Sequence, residues 1–221
     1  AEAQRLISDL RRKLDIPGIE FHFGVSYRNL LVYRGAETID VRTKPPHEIP
    51  EERIEHWLPH GHGDRMLRDI IDVSRDLFAN HEINQVRVDN GLNPATQVWL
   101  WGQGHAPSMP TFVERFGVKH GCMITGVDLL RGLAMLLDWD ILEVDGMTSF
   151  HDTNYVGQGL ATADALDRYD LVLSHVEAPD EASHQADITT KVASIEAIDK
   201  HVVGPVLRKL QTFDEWRLLV L

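Results

Sequence analysis

The chain has 221 residues, enough for one large domain or two modest ones. Hydrophobic residues make up 43% and charged residues 25%, as in ordinary soluble globular proteins. With 34 acidic and 22 basic residues the net charge is −12. This charge argues against a nucleic-acid partner, because phosphate backbones bind to basic surfaces, and it permits cation binding without indicating it.

Nothing in the sequence predicts a membrane protein. No apolar run approaches the about 20 residues that a membrane-spanning helix needs. The first residues, AEAQRLISDLRRKLD, have an amphipathic pattern without the features of a signal peptide. The single cysteine, Cys122, lies in the apolar run GCMITGV, which predicts a buried thiol. We therefore expect a cytoplasmic protein with no membrane partner.

The first part of the chain predicts a small α+β unit. A helix is expected over residues 4–14, and GIEFHFGVSYRNLLVYRG then predicts two antiparallel strands. One face of the first strand is formed at period two by Phe21, Phe23, Val25 and Tyr27. Residues 42–64 are rich in proline, histidine and glycine, and predict a long loop with at most a short helix.

Helical spacing returns in RMLRDIIDVSRDLFANHEIN, and ATQVWLWGQG predicts a strand that enters a glycine turn. The histidines of the preceding loop could chelate a metal, but a glycine-flanked loop gives them no rigid frame. For His56, His60 and His62 we therefore favour a solvated hinge over a metal site.

After about Pro110 the pattern alternates between strand and helix. The predicted strands are HGCMITGV, DILEVDG, DLVLSHV and WRLLVL, and the predicted helices are DLLRGLAMLLDW, NYVGQGLATADALDRY and DITTKVASIEAIDKHVVGPVLRKL. Such alternation predicts an α/β fold with a parallel sheet flanked by helices. We place the domain boundary between residues 112 and 113, with the α+β domain over 1–112 and the α/β domain over 113–221.

The end of the sequence is informative. The last predicted strand stops at Leu221, and no loop follows the carboxyl end, where α/β sheets place ligands. This ending predicts that the sequence is a piece of a longer protein.

The segment HVEAPDEASHQAD, residues 175–187, is the main candidate for chemistry. Asp180 and His184 are four residues apart, and a helix that begins near Pro179 would direct both side chains from one face. A carboxylate oxygen and an imidazole nitrogen can share one divalent cation such as manganese, zinc or magnesium. On spacing alone an acidic helix start on the surface is the favoured interpretation, because Asp-x-x-x-His on a helix is usually a surface pair, and two ligands do not complete a metal site.

Two cations are weaker candidates. Arg28 lies on or beside a strand, where a guanidinium can bind a phosphate or a carboxylate with two hydrogen bonds. Lys119 lies just before the strand HGCMITGV and could bind a phosphate. Taken alone, either residue is more often an exposed surface charge. No motif in the sequence nominates a nucleophile.

The motif HVEAPDEASH, with DTNYVGQG before it and KVASIEAID after it, resembles the cofactor-independent (2,3-bisphosphoglycerate-independent) phosphoglycerate mutases of archaeal type, in the alkaline phosphatase superfamily. The likeness runs from GVSYRNLLV through PPHEIP and GLNPATQVWLWGQG to VVGPVL. It implies part of an alkaline-phosphatase-like α/β domain with a smaller α+β lid domain. The implied activity is interconversion of 2-phosphoglycerate and 3-phosphoglycerate in glycolysis, by metal-dependent transfer through a phosphoserine.

The resemblance also implies residue roles. Asp180 and His184 would bind one of two divalent ions, with Mn²⁺ expected and Mg²⁺, Zn²⁺ and Co²⁺ as alternatives. Lys119 would lie near the transferring phosphate, and Arg28 would bind a small phosphorylated substrate. The nucleophile and the other ligands would lie outside these residues, so the piece alone is expected to be inactive and to bind metal poorly. The oligomeric state is left open.

Two positions depart from the mutase pattern. Trp101 stands in WGQG where these mutases often carry an arginine, and Gln158 stands in NYVGQG where a lysine is common. Both changes resemble a sister group of proposed homoserine kinases. Phosphoryl transfer to homoserine is therefore one alternative, and a non-catalytic binding module that keeps the fold is another.

Overall fold

A computed structural model of the chain describes residues 2–24 and 28–221. The chain divides into two compact units, Ala1–Ala106 and Pro107–Leu221, called unit 1 and unit 2 below. This division lies N-terminal to the boundary expected between residues 112 and 113. The identification of the two domains as lid and alkaline-phosphatase-like domain stays a prediction.

Unit 1 combines helices with short antiparallel strands. Its elements are α1 (Glu2–Lys13), β1 (Ile19–Phe23), β2 (Asn29–Tyr33), β3 (Asp40–Arg42), β4 (His60–His62), α2 (Asp64–Ala79) and α3 (Glu82–Asp89). β1 pairs with β2 in antiparallel register, with Phe21 opposite Leu31, as the alternation in the sequence predicts. Val25 and Tyr27, expected on the same face as Phe21, lie outside the described residues.

A second antiparallel pair occupies part of the region predicted to be a loop. β3 pairs with β4, with Asp40 opposite His62. Gly61 adopts a φ of 137°, and a Cβ there would overlap the carbonyl oxygen of Asp40, so this strand requires glycine. The loop prediction is wrong for 60–62, because His-Gly-His is exposed and carries no apolar alternation.

The core of unit 1 forms where the apolar faces of α1 and α2 meet the strands. The buried cluster comprises Leu6, Ile7, Leu10, Phe21, Val41, Leu67, Ile70 and Phe78. The strand predicted in ATQVWLWGQG is wrong, since residues 91–111 contain neither helix nor strand. Its apolar side chains pack against the core instead, and the Val98 N–H donates to Ser74 Oγ at 2.9 Å rather than to a neighbouring strand.

Unit 2 has the predicted α/β architecture. Its elements are α4 (Phe112–Phe116), β5 (Gly121–Ile124), α5 (Asp128–Leu136), β6 (Asp140–Ile141), α6 (Tyr155–Ala165), β7 (Leu171–Ser174), α7 (Ala178–His184), α8 (Ile188–Ile198) and α9 (Gly204–Leu210). The strands lie in the order β6-β5-β7 and all pairs are parallel, which confirms a parallel sheet flanked by helices. Cys122 on the central strand is fully buried, and burial raises the pKa of its thiol to about 11.

The long C-terminal helix is continuous but irregular. A π-helical segment, Asp199–Val203, joins α8 to α9. Six apolar residues are spaced three or four apart along the helix: Ile188, Val192, Ile195, Ile198, Val202 and Val206. Of these only Val202 and Val206 are buried, whereas Ile188 is 78% exposed. The last predicted strand, WRLLVL, is also wrong, because residues 216–221 are exposed and pair with none of the described strands. Among the described residues, no helix is both long and apolar enough to cross a bilayer.

Candidate functional site

Polar side chains cluster in unit 2 where the parallel strands end. Thr125 directly follows β5 and His175 directly follows β7, which is hydrogen-bonded to β5 along its length. The carboxyl ends of parallel strands are where open α/β sheets bind ligands. Helix α7, which carries the predicted metal ligands, begins three residues after His175 in the chain, at Ala178.

The first turn of α7 is built as the sequence predicts. Pro179 lies in that turn, where its missing N–H leaves no helical hydrogen bond unmade. The carbonyl oxygen of Glu177, the residue before the helix, accepts the backbone N–H of Asp180 at 2.9 Å and that of Glu181 at 3.2 Å. Asp180 is thereby fixed in the helix, and His184 lies one turn further along the same face.

Asp180 and His184 are brought together. Asp180 Oδ2 lies 3.3 Å from His184 Nε2, and the two side chains are 61% and 64% exposed. Two donors that each lie about 2.1 Å from one cation are separated by about 3.0 Å in octahedral and about 3.4 Å in tetrahedral geometry. The measured separation lies within this range, so the hard oxygen and the imidazole nitrogen fit two positions on one divalent ion.

This pair supplies only part of a metal site. Over residues 2–24 and 28–221, the structure contains no group of three or more histidine, cysteine, aspartate or glutamate side chains arranged to hold a metal. Both donors are open to solvent, so further ligands can approach them. By itself, the geometry shows a carboxylate oxygen and an imidazole nitrogen that are close enough to bind the same cation.

The turn after α7 fixes where α8 begins. Ala186 has a φ of 55°, and Asp187 caps α8 by accepting the Thr190 N–H at 3.0 Å. The hydroxyl of Thr190 donates to the same carboxylate at 2.6 Å. Hydrogen bonding from Thr190 lowers the pKa of Asp187, so this carboxylate stays ionised as a helix cap.

Lys119 lies at the other end of the sheet. It precedes β5 at the amino end, whereas Asp180 follows the carboxyl end of β7, and the two strands are parallel. Lys119 lines a cavity of about 410 Å³ with His120, Gly121, Asp138, Asp140, Arg168 and Tyr169. The Tyr169 hydroxyl donates to Asp140 at 2.8 Å, and this hydrogen bond raises the pKa of Tyr169. Unit 2 therefore does not bring Lys119 together with Asp180 and His184.

Arg28 belongs to unit 1. It is exposed and lies directly before β2, adjacent to the residues that are not described. Trp101, one of the two departures from the mutase pattern, is also in unit 1, with its ring in edge contact with His47 at a centroid distance of 5.5 Å. The substrate-binding role of Arg28 stays a prediction.

The sequence did not indicate a hydrogen-bonded group beside α7. Thr125, His175 and Glu177 are joined through their side chains, and Gln158 on α6 donates to the His175 carbonyl oxygen at 2.8 Å. One signal could have found part of this group. Both Thr125 and His175 are the first residues after apolar parallel strands, at the edge where ligands bind.

Comparisons with known proteins agree with this architecture. The PH0037 protein from Pyrococcus horikoshii has a solved structure that matches with a TM-score of 0.54 at 24% identity, covering 66% of this chain and 38% of that one. At this identity the match supports the fold alone. A family model described as 2,3-bisphosphoglycerate-independent phosphoglycerate mutase matches residues 1–84.

Curated relatives extend this match over the whole chain. A 2,3-bisphosphoglycerate-independent phosphoglycerate mutase from Methanothrix thermoacetophila is 45% identical over 93% of this chain and 52% of its own length. The protein of the same name from Methanosarcina mazei is 39% identical over 100% of this chain and 55% of its own length. The chain thus spans about half the length of these relatives. By sequence, it belongs to the family of 2,3-bisphosphoglycerate-independent phosphoglycerate mutases.

Proposed function

We propose that this chain is part of an enzyme that interconverts 2-phosphoglycerate and 3-phosphoglycerate in glycolysis, by metal-dependent phosphoryl transfer through a phosphoserine. The observation that carries the proposal is the Asp180–His184 donor pair, 3.3 Å apart, in a chain 45% identical to a protein named as such a mutase. The substrate class that follows is a small phosphorylated metabolite.

Asp180 and His184 would bind one of two divalent ions. Mn²⁺ is our first choice, and Mg²⁺, Zn²⁺ and Co²⁺ are alternatives that accept the same donors. When bound, such ions stabilise the serine alkoxide and the charge on the transferring phosphoryl group. The contribution of this chain is to hold a carboxylate and an imidazole one helical turn apart and open to solvent.

The remaining parts of the site are expected in the portion of the family's length that this chain does not span. These parts are the serine nucleophile and the other metal ligands. Lys119 as a contact to the transferring phosphate and Arg28 as a substrate-binding residue stay predictions. The position of Lys119 at the amino end of β5 gives its role no support from the geometry of unit 2.

A mutase assay on the full-length protein tests the proposal. We expect Asp180→Ala and His184→Ala each to lower kcat by at least about 100-fold, because losing a ligand removes charge stabilisation worth several kcal/mol. Chelation of metal should abolish the activity, and added Mn²⁺ should restore it. The matched control is His60→Ala in unit 1, because His60 also faces an aspartate four residues away, with His60 Nδ1 3.7 Å from Asp64 Oδ2.

Several outcomes would overturn the proposal in distinguishable ways. Full activity in both unit 2 variants would remove the metal assignment and leave the mutase activity. Consumption of ATP with homoserine, without mutase activity, would favour the kinase alternative. Absence of both activities in a folded, metal-loaded protein would favour a non-catalytic binding module.

A further inference from the structure

A chain of side-chain hydrogen bonds connects the end of β5 to the start of α7. Thr125 Oγ1 lies 3.2 Å from His175 Nδ1, and His175 Nε2 lies 3.1 Å from Glu177 Oε2. The side chains of His175 and Glu177 are 30% and 21% exposed, so solvent only partly competes for these bonds. None of the three residues is among the site residues predicted from the sequence.

For a neutral His175 ring, the partners set the direction of each hydrogen bond. An ionised glutamate only accepts, so Nε2 of a neutral His175 ring carries the proton and donates to Glu177. Nδ1 is then an acceptor for the hydroxyl of Thr125. The oxygen of that hydroxyl already accepts the Val127 N–H at 3.1 Å, which leaves its own proton for the imidazole. Thr125, His175 and Glu177 thus each have donor and acceptor roles that agree with those of their partners.

The backbone of His175 is held as firmly as its ring. Its N–H donates to the Ile124 carbonyl oxygen at 2.9 Å, which continues the pairing of β7 with β5. Its carbonyl oxygen accepts from Gln158 Nε2 at 2.8 Å, and Gln158 is only 1% exposed. The backbone of His175 is therefore attached to the sheet and to α6.

Glu177 connects His175 to the first turn of α7. While its side chain accepts from His175, its carbonyl oxygen accepts the N–H groups of Asp180 and Glu181 in the first helical turn. We propose that His175 is a positioning residue, which sets the orientation of α7 through Glu177 and so places Asp180 and His184 for a shared divalent cation. The inference rests on the proposed function, because it concerns the affinity of that same cation site.

Two conservative variants distinguish positioning from a merely structural role. In His175→Gln the side-chain amide nitrogen can take the place of Nε2 and donate to Glu177. In His175→Asn the shorter amide can reach Thr125 but not Glu177. Losing a partner that orients metal ligands typically weakens metal binding by about 10- to 100-fold. Because His175 acts through Glu177 and contacts neither donor directly, we expect His175→Asn to raise the Kd for Mn²⁺ by about tenfold, the lower end of this range, and His175→Gln to bind within about threefold of wild type.

The experiment is isothermal titration of the full-length protein with MnCl₂, with thermal unfolding of each variant measured in the same buffer. The control is His120→Asn at the amino end of β5, where His120 is 64% exposed and far along the strand from α7. The expected result is weakened Mn²⁺ binding in His175→Asn alone, at an unchanged Tm of the metal-free protein.

Three contrary results have different meanings. If the wild-type protein binds no Mn²⁺, the metal-dependent function and this inference both fall. If wild type and His175→Asn bind Mn²⁺ equally well, only the positioning role falls. If His175→Gln and His175→Asn lose affinity together with a lowered Tm, His175 supports the fold in general, and the inference is wrong.

Discussion

At the scale of single residues, a hydrogen bond from His81 in unit 1 lowers the pKa of Asp9. His81 is buried, and its Nδ1 accepts the Ile83 N–H at 3.2 Å as the cap of α3. A neutral ring therefore carries its proton on Nε2, which lies 3.0 Å from Asp9 Oδ2. This hydrogen bond is the largest cause that lowers the pKa of Asp9, and the Arg12 guanidinium adds to it.

A dependence of stability on pH follows from this pair. Because the pKa of Asp9 is lower in the folded state than its ordinary value of 3.8, folding favours the ionised form. The stabilisation is complete above the unfolded pKa and is lost as pH falls through the folded pKa. We expect Asp9→Asn to lower the urea midpoint at pH 6, and the difference from wild type to shrink as the pH falls below 3.8.

Urea unfolding of both proteins at several pH values between 6 and 3 measures this difference. Asp72→Asn removes an exposed carboxylate on α2 and controls for the change in net charge. A difference between wild type and Asp9→Asn that stays constant over the whole series would contradict the assignment.

At the scale of elements, close packing of α6 against the π-helical segment is visible at Gly159. A Cβ at this position would overlap the carbonyl oxygen of His201, a backbone atom that cannot move aside cheaply. Replacing glycine by alanine inside a helix normally stabilises by about 0.5–1 kcal/mol. At Gly159 the overlap turns the expected stabilisation into a destabilisation, because overpacking costs about 1–3 kcal/mol.

Gly159→Ala should therefore destabilise unit 2 by about 1–3 kcal/mol. Gly132→Ala in α5 is the matched control, because a Cβ there meets nothing within 4 Å. It should stabilise by about 0.5–1 kcal/mol. Free energies of unfolding from urea titrations measure both changes. Equal and favourable effects at the two glycines would show that α6 and the π-helical segment are not packed as described.

Elements with a clear apolar period are those that sequence reasoning identified. α2, with its buried Leu67, Ile70 and Ile71, and the fully buried strand β5 are examples. The errors have physical causes. The apolar side chains of ATQVWLWGQG pack against the core of unit 1 and the Val98 N–H donates to Ser74 Oγ, so the segment is held without a strand partner. The apolar run in WRLLVL has no strand beside it among those described, and a strand pattern forms a strand only where a sheet edge receives it.

At the candidate site, too, sequence reasoning identified local features and missed those that depend on how distant segments pair. Asp180 and His184 were predictable because both lie on one short helix, where spacing of four determines proximity. The contact of Thr125 with His175 joins residues 50 positions apart and depends on how β5 and β7 pair. No local pattern specifies that pairing. Sequence reasoning therefore predicted the proximity of Asp180 and His184 and missed the hydrogen-bonded group beside α7.

At the scale of the whole molecule, the chain is two compact units connected by an exposed segment. Residues 101–110 are all exposed, which is the longest such run in the described part of the chain, and they form neither helix nor strand. The N-terminal side of this segment is attached to unit 1. Gln103 Nε2 donates to the Val41 carbonyl oxygen at 2.6 Å, and the Thr43 hydroxyl also bonds to the Gln103 side chain.

Limited proteolysis tests where the two units divide. Proteases cut exposed backbone that can leave the surface without breaking many hydrogen bonds. Because Gln103 is held to unit 1, we expect the first cut by proteinase K between Gly104 and Pro110. The cut should release two stable fragments, which mass spectrometry of the early digest would identify. Gln103→Ala should extend the accessible region toward Trp101, whereas Gln85→Ala on α3 should leave the pattern unchanged. A first cut within α2 or within β5 would contradict the division at residue 106, because both elements are packed in the cores of their units.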